Sequence, residues 1–328
     1  MKLNIRDNNF DIIRLVLAIL VGLYHWNILI AYNSGNLFFN FGEIAVDCFF
    51  IVSGFLIFWS FDNDKDNKKF YIKRFYRIFP IYFGLIFLQT LFFIGFSQGN
   101  LEEIFRYFIS NLLFLNFLSP SVGETLANLE VNAINGSLWT LKNEVMFYVL
   151  VPLVFLFYKK FGLKFLAFLY FISIIYILTI NYFDLSKMIA LFPSQLRLFI
   201  VGVFLYVFFS KLSKEVLFLM GPISIVFIYL FSENEYFKFL MYPILLGFIL
   251  LFIIYCIKEI KIKFDFSYSF YILHFPVIQL AIYFNINPSN PILSFVFLFS
   301  IIIFLSFLSE KYIEKRFIRI GKKVRFSN

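Results

Sequence analysis

Residues 10–31 read FDIIRLVLAILVGLYHWNILIA, an apolar run that nevertheless contains Asp11, Arg14 and His25. A hydrocarbon core about 30 Å thick is crossed by about 20 apolar residues in a helix. The run is longer than the apolar part of a typical signal peptide, and no small-residue cleavage pattern follows it. We therefore interpret it as a retained first transmembrane helix.

The composition of the whole chain supports the same interpretation. Of the 328 residues, 61% are hydrophobic, 15% are charged and 53 are Phe. A soluble domain has about 25% charged residues and could not hide this much apolar surface. Cys48 and Cys256 are predicted near opposite membrane faces, so no disulfide framework is expected. The fold class is therefore predicted to be all-α, a polytopic membrane protein.

Ten apolar segments are predicted to span the membrane. They are 10–31, 43–61, 79–97, 137–158, 164–181, 190–210, 215–231, 238–257, 267–285 and 291–310. The segment 101–118 has two Glu and an Arg in its first turns and is predicted to be an interfacial or re-entrant helix. Residues 1–328 are interpreted as a single transmembrane domain with a basic cytoplasmic tail over 311–328.

The net charge of +9 is distributed unevenly across the predicted membrane. With both termini inside, the inner segments hold 23 of the 29 Lys and Arg residues, including Lys2, Arg6 and Arg325. The outer segments hold three, which are Arg106, Lys187 and Lys238. This bias follows the positive-inside rule and predicts N-in and C-in termini. It also argues against nucleic acid as a partner and for contact of the tail with membrane lipid.

Ionisable side chains inside predicted spans are costly and mark candidate functional positions. Arg14 and His25 are eleven residues apart, which places them on one helical face with a rise of about 16.5 Å. Glu144 is predicted at a depth similar to that of His25, and His274 is predicted in the inner half. A carboxylate and an imidazole at one depth can form an acid–base pair, or simply a structural buried hydrogen bond.

Two further groups of polar residues lie near span ends. Arg74 and Arg77 share a helical face just before Pro80, which is predicted to end that helix. Guanidinium groups suit bidentate contacts with phosphate, although plain positive-inside charge is an alternative explanation. Ser137 and Glu144 are predicted to share the face of the fourth span, with Tyr148 one turn further on, while Lys142 points away.

Seven motifs follow one another along almost the whole chain. They are FDIIRLVLAILVGLYH (10–25), GEIAVDCFFIVSGFLI (42–57), FYIKRFYRIFPIY (70–82), NGSLWTLKNEVMFY (135–148), RLFIVG (197–202), SYSFYILHFPV (267–277) and YIEKRF (312–317). In this order they resemble the membrane-bound acyltransferase type 3 family. The chain departs from the family at Ala45 and Ser269, where Gly is more frequent, and at Arg316, where Pro is usual.

The resemblance implies transfer of an acyl group, commonly acetyl from acetyl-CoA, to carbohydrate hydroxyls. By matching residues, His25 would be catalytic, while Arg14, Arg74 and Arg77 would bind the donor. The rise from Arg14 to His25 is about the length of a pantetheine arm, which agrees with this assignment. In the expected mechanism His25 is the general base and Glu144 orients it or shares the proton; an acyl-enzyme intermediate is not excluded.

The remaining expectations concern ligands and location. Substrate contacts are predicted at Asp47, Ser137, Trp139, Tyr148, Arg197 and His274. The partners are an acyl-CoA, used as a substrate, and a glycan or lipid-linked glycan acceptor. No tightly bound cofactor and no metal are expected, and the oligomeric state is left open. The location is the cytoplasmic membrane of a bacterium.

The alternative function is a glycan flippase, polymerase or transporter of lipid-linked sugars. Such proteins are equally apolar, and a pathway lined by Arg and Tyr would have a similar composition. The ordered set of motifs favours the acyltransferase, because a translocator does not need Arg14 and His25 combined with Arg74 and Arg77.

Overall fold

The computed structural model describes residues 3, 5, 8–30 and 41–324, and the regular secondary structure of these residues is helical, without strands. Lys2, Arg6, Arg325 and residue 31 of the first predicted span lie outside the described residues. The α-helices of the described part are α1 Phe10–Leu29, α2 Gly42–Asp64, α3 Asn67–Phe96, α4 Leu101–Leu112, α5 Leu138–Phe161, α6 Leu163–Tyr182, α7 Phe192–Phe208, α8 Lys214–Leu230, α9 Glu235–Leu240, α10 Tyr242–Cys256, α11 Ser267–Tyr283, α12 Pro291–Ser309 and α13 Lys315–Lys323.

Seven helical stretches, counted over the described residues, are long and apolar enough to cross a membrane. They are Phe10–Leu29, Gly42–Asp64, Asn67–Phe96, Leu138–Phe161, Leu163–Tyr182, Ser186–Lys211 and Pro291–Lys323. The other three predicted spans correspond to α8, α10 and α11, which have 17, 15 and 17 residues. The all-α fold and the integral membrane character are thus confirmed, while ten spans with both termini inside stay a prediction.

Pro80 lies in the interior of α3, which continues without a break from Asn67 to Phe96. The prediction that Pro80 ends the helix of Arg74 and Arg77 was therefore wrong. A proline removes one hydrogen-bond donor and crowds the preceding turn. Helices in membranes tolerate it, because neighbouring groups and local adjustments satisfy the freed carbonyl. Both arginines consequently lie on the same helix as the span that follows them.

Residues 101–118 form a short helix and a turn, as expected for a segment that is not a full span. α4 has 12 residues and is followed by a 3-10 turn over Asn116–Leu118. A helix of that length is about 18 Å long, which is too short for the hydrocarbon core. On its buried side, Tyr107 donates a hydrogen bond of 2.8 Å to Gln89 of α3. An interfacial or re-entrant position for α4 stays a prediction.

Contacts between residues divide the chain into two units, and neither is one continuous stretch. The first unit is Met1–Arg14, Val46–Phe70 and Asn143–Ile262; the second is Leu15–Ala45, Tyr71–Lys142 and Lys263–Asn328. Four helices, which are α1, α2, α3 and α5, therefore contribute residues to both. The interpretation of the chain as a single transmembrane domain stays a prediction.

Within the first unit, α2 and α7 approach each other at two glycines. A Cβ atom added to Gly54 would lie 2.1 Å from the Phe199 carbonyl oxygen, and one added to Gly202 would lie 2.1 Å from the Ile51 carbonyl oxygen. Only a hydrogen atom fits at either position. Small residues of this kind let membrane helices pack backbone to backbone. The crossing explains why both motifs, 42–57 and 197–202, contain a glycine.

We expect Gly54→Ala to lower the thermal unfolding midpoint of the detergent-solubilised protein. The added methyl group would push α2 and α7 apart, and overpacking typically costs about 1–3 kcal/mol. Gly84→Ala is the matched control, because a Cβ atom there meets nothing within 4 Å. An unchanged midpoint for Gly54→Ala would contradict the close crossing.

Within the second unit, α13 packs on α3. α12 continues through a π-helical turn over Glu310–Glu314 into α13. The ring of Phe317 stacks on Tyr76 with centroids 6.2 Å apart, and a Cβ atom at Gly321 would lie 2.9 Å from the Tyr76 side chain. The segment predicted as a basic tail is thus a helix through Lys323. Its contact with the inner leaflet stays a prediction, and residues 325–328 lie outside the described part.

Candidate functional site

The two histidines of the chain come together in the second unit. His25 Nδ1 on α1 lies 2.8 Å from His274 Nε2 on α11. Their ring centroids are 5.0 Å apart and their planes are 21° from parallel, so the two rings meet edge to edge. His274 is completely buried, whereas His25 keeps partial exposure. The two rings therefore form an imidazole pair with one accessible member.

The contact corrects the depths predicted for these residues. His274 was predicted in the inner half and His25 in the outer half, yet the two rings touch. His25 lies fifteen residues after the first residue of α1, and His274 seven residues after the first residue of α11. The number of residues from the start of a helix gives the depth of a side chain in the membrane only if all helices begin at the same plane. The contact puts the two rings at one level, which residue counting did not predict.

The motif 135–148 begins with a polar stretch that binds α11 beside the imidazole pair. Asn135 Nδ2 donates a hydrogen bond of 3.0 Å to the Ile272 carbonyl, and Ser137 Oγ donates one of 2.7 Å to Asn135 Oδ1. Thr140 Oγ1 and Tyr271 Oη share a hydrogen bond of 2.6 Å. These bonds satisfy buried polar groups and fix the rotation of α11. Ser137, predicted as a substrate contact, is fully buried among them.

Phe275 forms one wall around His25. Its ring lies edge to face with the His25 ring, with centroids 5.0 Å apart and planes at 71°. A Cβ atom at Gly136 would lie 2.8 Å from the Phe275 ring, so the motif glycine makes room for this phenyl group. The position of His25 is thus limited by Phe275 and His274, and the Tyr24 ring lies 5.5 Å from it, centroid to centroid.

Arg74 and Arg77 lie three residues apart on α3, and both are partly buried. The Glu314 carboxylate, in the π-helical turn after α12, interacts electrostatically with Arg77. Ser269 Oγ of α11 donates a hydrogen bond of 2.9 Å to Glu314 Oε2. Ser269 is one of the departures from the family pattern, and here its hydroxyl binds the carboxylate that faces Arg77.

In the first unit, Arg14 and Glu144 each have a partner on the same helix. Arg14 donates a hydrogen bond of 2.7 Å to Asp11, and only 14% of the Arg14 side chain is exposed, against 63% for Asp11. The Tyr148 hydroxyl donates one of 2.5 Å to Glu144 Oε1. The predicted one-turn relation of Glu144 and Tyr148 is therefore confirmed.

A second group in the first unit joins two more predicted substrate contacts. Asp47 of α2 accepts a hydrogen bond from Tyr242 of α10 and attracts Arg197 of α7 electrostatically. Arg197 also donates to the Ser194 carbonyl at 2.5 Å. A buried arginine and a carboxylate are tolerated when they pair and hydrogen-bond in this way. The group links α2, α7 and α10.

The structure brings some predicted site residues into contact, while the roles predicted for the others stay predictions. His25 and His274 are in contact, while Trp139 lies partly buried near the start of α5. The predicted relations of Arg14 and Glu144 to His25 stay predictions. Sequence reasoning gave no role to four residues that the structure connects to these groups, which are Asn135, Tyr242, Tyr271 and Glu314. Glu314 lies in the quoted motif 312–317, but nothing in the sequence pairs it with Arg77.

Comparisons with known proteins agree with the motif order. A family model described as an acyltransferase domain matches residues 7–311. An O-acetyl transferase of Shigella phage Sf6 is 29% identical over 334 residues, covering 95% of this chain and 96% of that protein. Nodulation protein 10 of Rhizobium leguminosarum bv. viciae is 29% identical over 161 residues, covering 45% of this chain and 44% of that protein. No solved structure matches. Since the family model covers nearly the whole chain, the protein belongs to the acyltransferase type 3 family.

Proposed function

We propose that this protein is a membrane O-acyltransferase of the bacterial cytoplasmic membrane. It moves an acyl group, in the first instance acetyl, from cytoplasmic acyl-CoA to a hydroxyl of an envelope or extracellular glycan or its lipid-linked precursor. The observation that carries the proposal is the imidazole pair, with one partly exposed ring, in a chain of an acyltransferase family. The O-acetyl transferase of phage Sf6, similar over nearly its whole length, supports acetyl as the acyl group.

The proposed reaction is an ester exchange in which His25 is the general base. His25 takes the proton of the glycan hydroxyl as the oxygen attacks the thioester carbonyl carbon. The carbon–sulfur bond then breaks, and the imidazolium returns the proton to the CoA thiolate. An imidazole suits this exchange because its unperturbed pKa is about 6.5, close to neutral pH. The alternative mechanism has a covalent acyl-enzyme intermediate. There the acyl group is first transferred to a side chain of the protein and then to the glycan hydroxyl.

The donor is proposed to bind through its phosphates to Arg14, Arg74 and Arg77. Planar guanidinium groups form bidentate, charge-assisted hydrogen bonds with phosphate. The Glu314 carboxylate beside Arg77 supports an ordered guanidinium there. Acyl-CoA is a substrate in this scheme, and no tightly bound cofactor is invoked.

The remaining predicted site residues differ in the role that we propose for them. Glu144 keeps its proposed role of orienting His25 or sharing its proton, which rests on the sequence alone. Trp139 and Tyr148 remain proposed acceptor contacts. The hydrogen bonds of Ser137 and the electrostatic pairing of Asp47 with Arg197 favour structural roles for these three residues.

The proposed topology has both termini and the donor arginines on the cytoplasmic side. Single cysteines placed at Lys68 and Lys160 are then expected to be protected from an impermeant thiol reagent in intact cells, and one at Asn128 is expected to react. Cys48→Ser with Cys256→Ser provides the background, since these are the two natural cysteines. Reaction of the cysteine at position 68 from outside would contradict the orientation and the donor side together.

The function is tested by mass spectrometry of the surface glycan of the host with and without this gene. We expect one class of ester-linked acyl groups to disappear with the gene and to return when it is restored. A glycan of unchanged acylation that no longer reaches the surface would instead support the flippase or transporter.

A further inference from the structure

We propose that His274 is a positioning residue that fixes the tautomer of His25 and makes Nε2 of His25 the atom that takes the substrate proton. This inference deepens the proposed function and rests on it. It follows from the buried hydrogen bonds around the imidazole pair, which assign each ring nitrogen a donor or an acceptor role.

The assignment begins at the Phe270 carbonyl, one helical turn before His274. His274 Nδ1 lies 3.2 Å from this oxygen. A carbonyl oxygen only accepts hydrogen bonds, so the proton of this bond is on Nδ1 of His274. A neutral imidazole has one N–H group and one lone pair. The lone pair of neutral His274 is therefore on Nε2.

The protonation state of His274 follows from its burial. The residue has no exposed surface, and its neighbours include the rings of Phe270, Tyr271 and Phe275. An ion in such surroundings would lose its hydration without a compensating charge, which strongly disfavours it. We therefore assign the neutral form to His274, with Nε2 as an acceptor.

The role of His25 then follows from the contact of the two rings. His25 Nδ1 is 2.8 Å from His274 Nε2, so His25 Nδ1 must be the donor. The Val21 carbonyl, one turn before His25, is a second acceptor for this ring. Nδ1 is the ring nitrogen nearer the backbone, so it is the one that a carbonyl four residues earlier reaches, as at His274. In neutral His25 the lone pair is consequently on Nε2, the nitrogen that does not face His274. That nitrogen is available to a hydroxyl proton, and His25 is the partly exposed member of the pair.

The same bond assists the reaction when His25 is protonated. Nδ1 of an imidazolium donates a stronger, charge-assisted hydrogen bond than a neutral ring does. His274 accepts that bond as a neutral group, in the place where a carboxylate often orients a catalytic histidine. It thus holds the ring in position both before and after proton transfer.

The tautomer can be measured without reference to activity. Protein labelled with ¹⁵N-histidine contains two labelled rings, because the chain has two histidines, and His274→Gln identifies the His25 signals. In the wild-type protein in lipid, we expect His25 to be protonated at Nδ1 and unprotonated at Nε2. A wild-type His25 with its proton on Nε2 would overturn the inference. An absence of acetyl transfer by the wild-type protein would instead overturn the proposed function.

A matched pair of variants tests the positioning role. In His274→Gln the side-chain oxygen reaches about as far as Nε2 and can accept the His25 bond; in His274→Asn the shorter side chain cannot. We expect His274→Asn to lower kcat about tenfold to a hundredfold with an unchanged KM for acetyl-CoA, and Gln to restore most of kcat. Equal kcat in the two variants, at equal thermal midpoints, would contradict the role.

Discussion

Replacement of His25 by alanine is expected to abolish acyl transfer while acetyl-CoA still binds. A positioned general base contributes about a hundredfold to ten-thousandfold to the rate. The other imidazole is not expected to compensate, because His274 is completely buried and its Nδ1 is bonded to the Phe270 carbonyl. The donor's phosphates are assigned to arginines, so the affinity for acetyl-CoA should change little.

The His25→Ala experiment needs two measurements on the same purified protein. Transfer is followed as release of free CoA in the presence of acceptor glycan, and binding is followed by titration calorimetry with acetyl-CoA. His274→Gln is a useful companion, since it changes the neighbouring imidazole and keeps His25. Near-normal transfer by His25→Ala, or a complete loss of acetyl-CoA binding, would show that the assignment of the base is wrong.

Replacement of Arg77 by alanine is expected to raise the KM for acetyl-CoA about tenfold to a hundredfold. Hydrogen bonds to charged groups contribute about 1.5–3 kcal/mol each. Arg77→Lys should restore the affinity only in part, because an ammonium group cannot form the planar, bidentate contact of a guanidinium. The measurement is the initial rate against acetyl-CoA concentration.

Arg106→Ala provides the control for the loss of one positive charge, since this exposed arginine of α4 has no proposed donor role. Its KM for acetyl-CoA should equal that of the wild-type protein. Complete recovery of the acetyl-CoA affinity in Arg77→Lys, or an unchanged affinity in Arg77→Ala, would leave Arg77 as a simple topology determinant.

The distribution of apolar residues along the sequence was sufficient to predict most helices, because each predicted span is a long apolar run with polar ends. α1, α5 and α6 agree with their predicted segments within a few residues. Pro80 was misinterpreted because proline usually ends helices in water, and the tolerance of a membrane helix depends on its neighbours. Whether α8, α10 and α11 span the membrane depends on surroundings that helix length does not reveal.

The candidate site was only partly predictable, since it depends on contacts between residues distant in sequence. Motif order was sufficient to select His25 and His274, but not to place them in contact, because the starting depths of α1 and α11 are set by packing. The interaction of Glu314 with Arg77 could not be predicted either, because it depends on the π-helical turn that follows α12. Gly54 and Gly202 stood in quoted motifs, and only the helix crossing shows what they do.

The central claim, transfer of an acyl group from acyl-CoA to a glycan hydroxyl, is tested most directly in sealed membrane vesicles. Inside-out vesicles contain the wild-type protein or His25→Ala and enclose the lipid-linked and surface glycan fraction of the host. Acetyl-CoA labelled with ¹⁴C in the acetyl group is added outside, at their cytoplasmic face. We predict alkali-labile ¹⁴C-acetyl ester on the glycan with the wild-type protein and none with His25→Ala. Equal labelling by the two proteins, or no labelled ester with either while the glycan crosses the membrane, would contradict the claim.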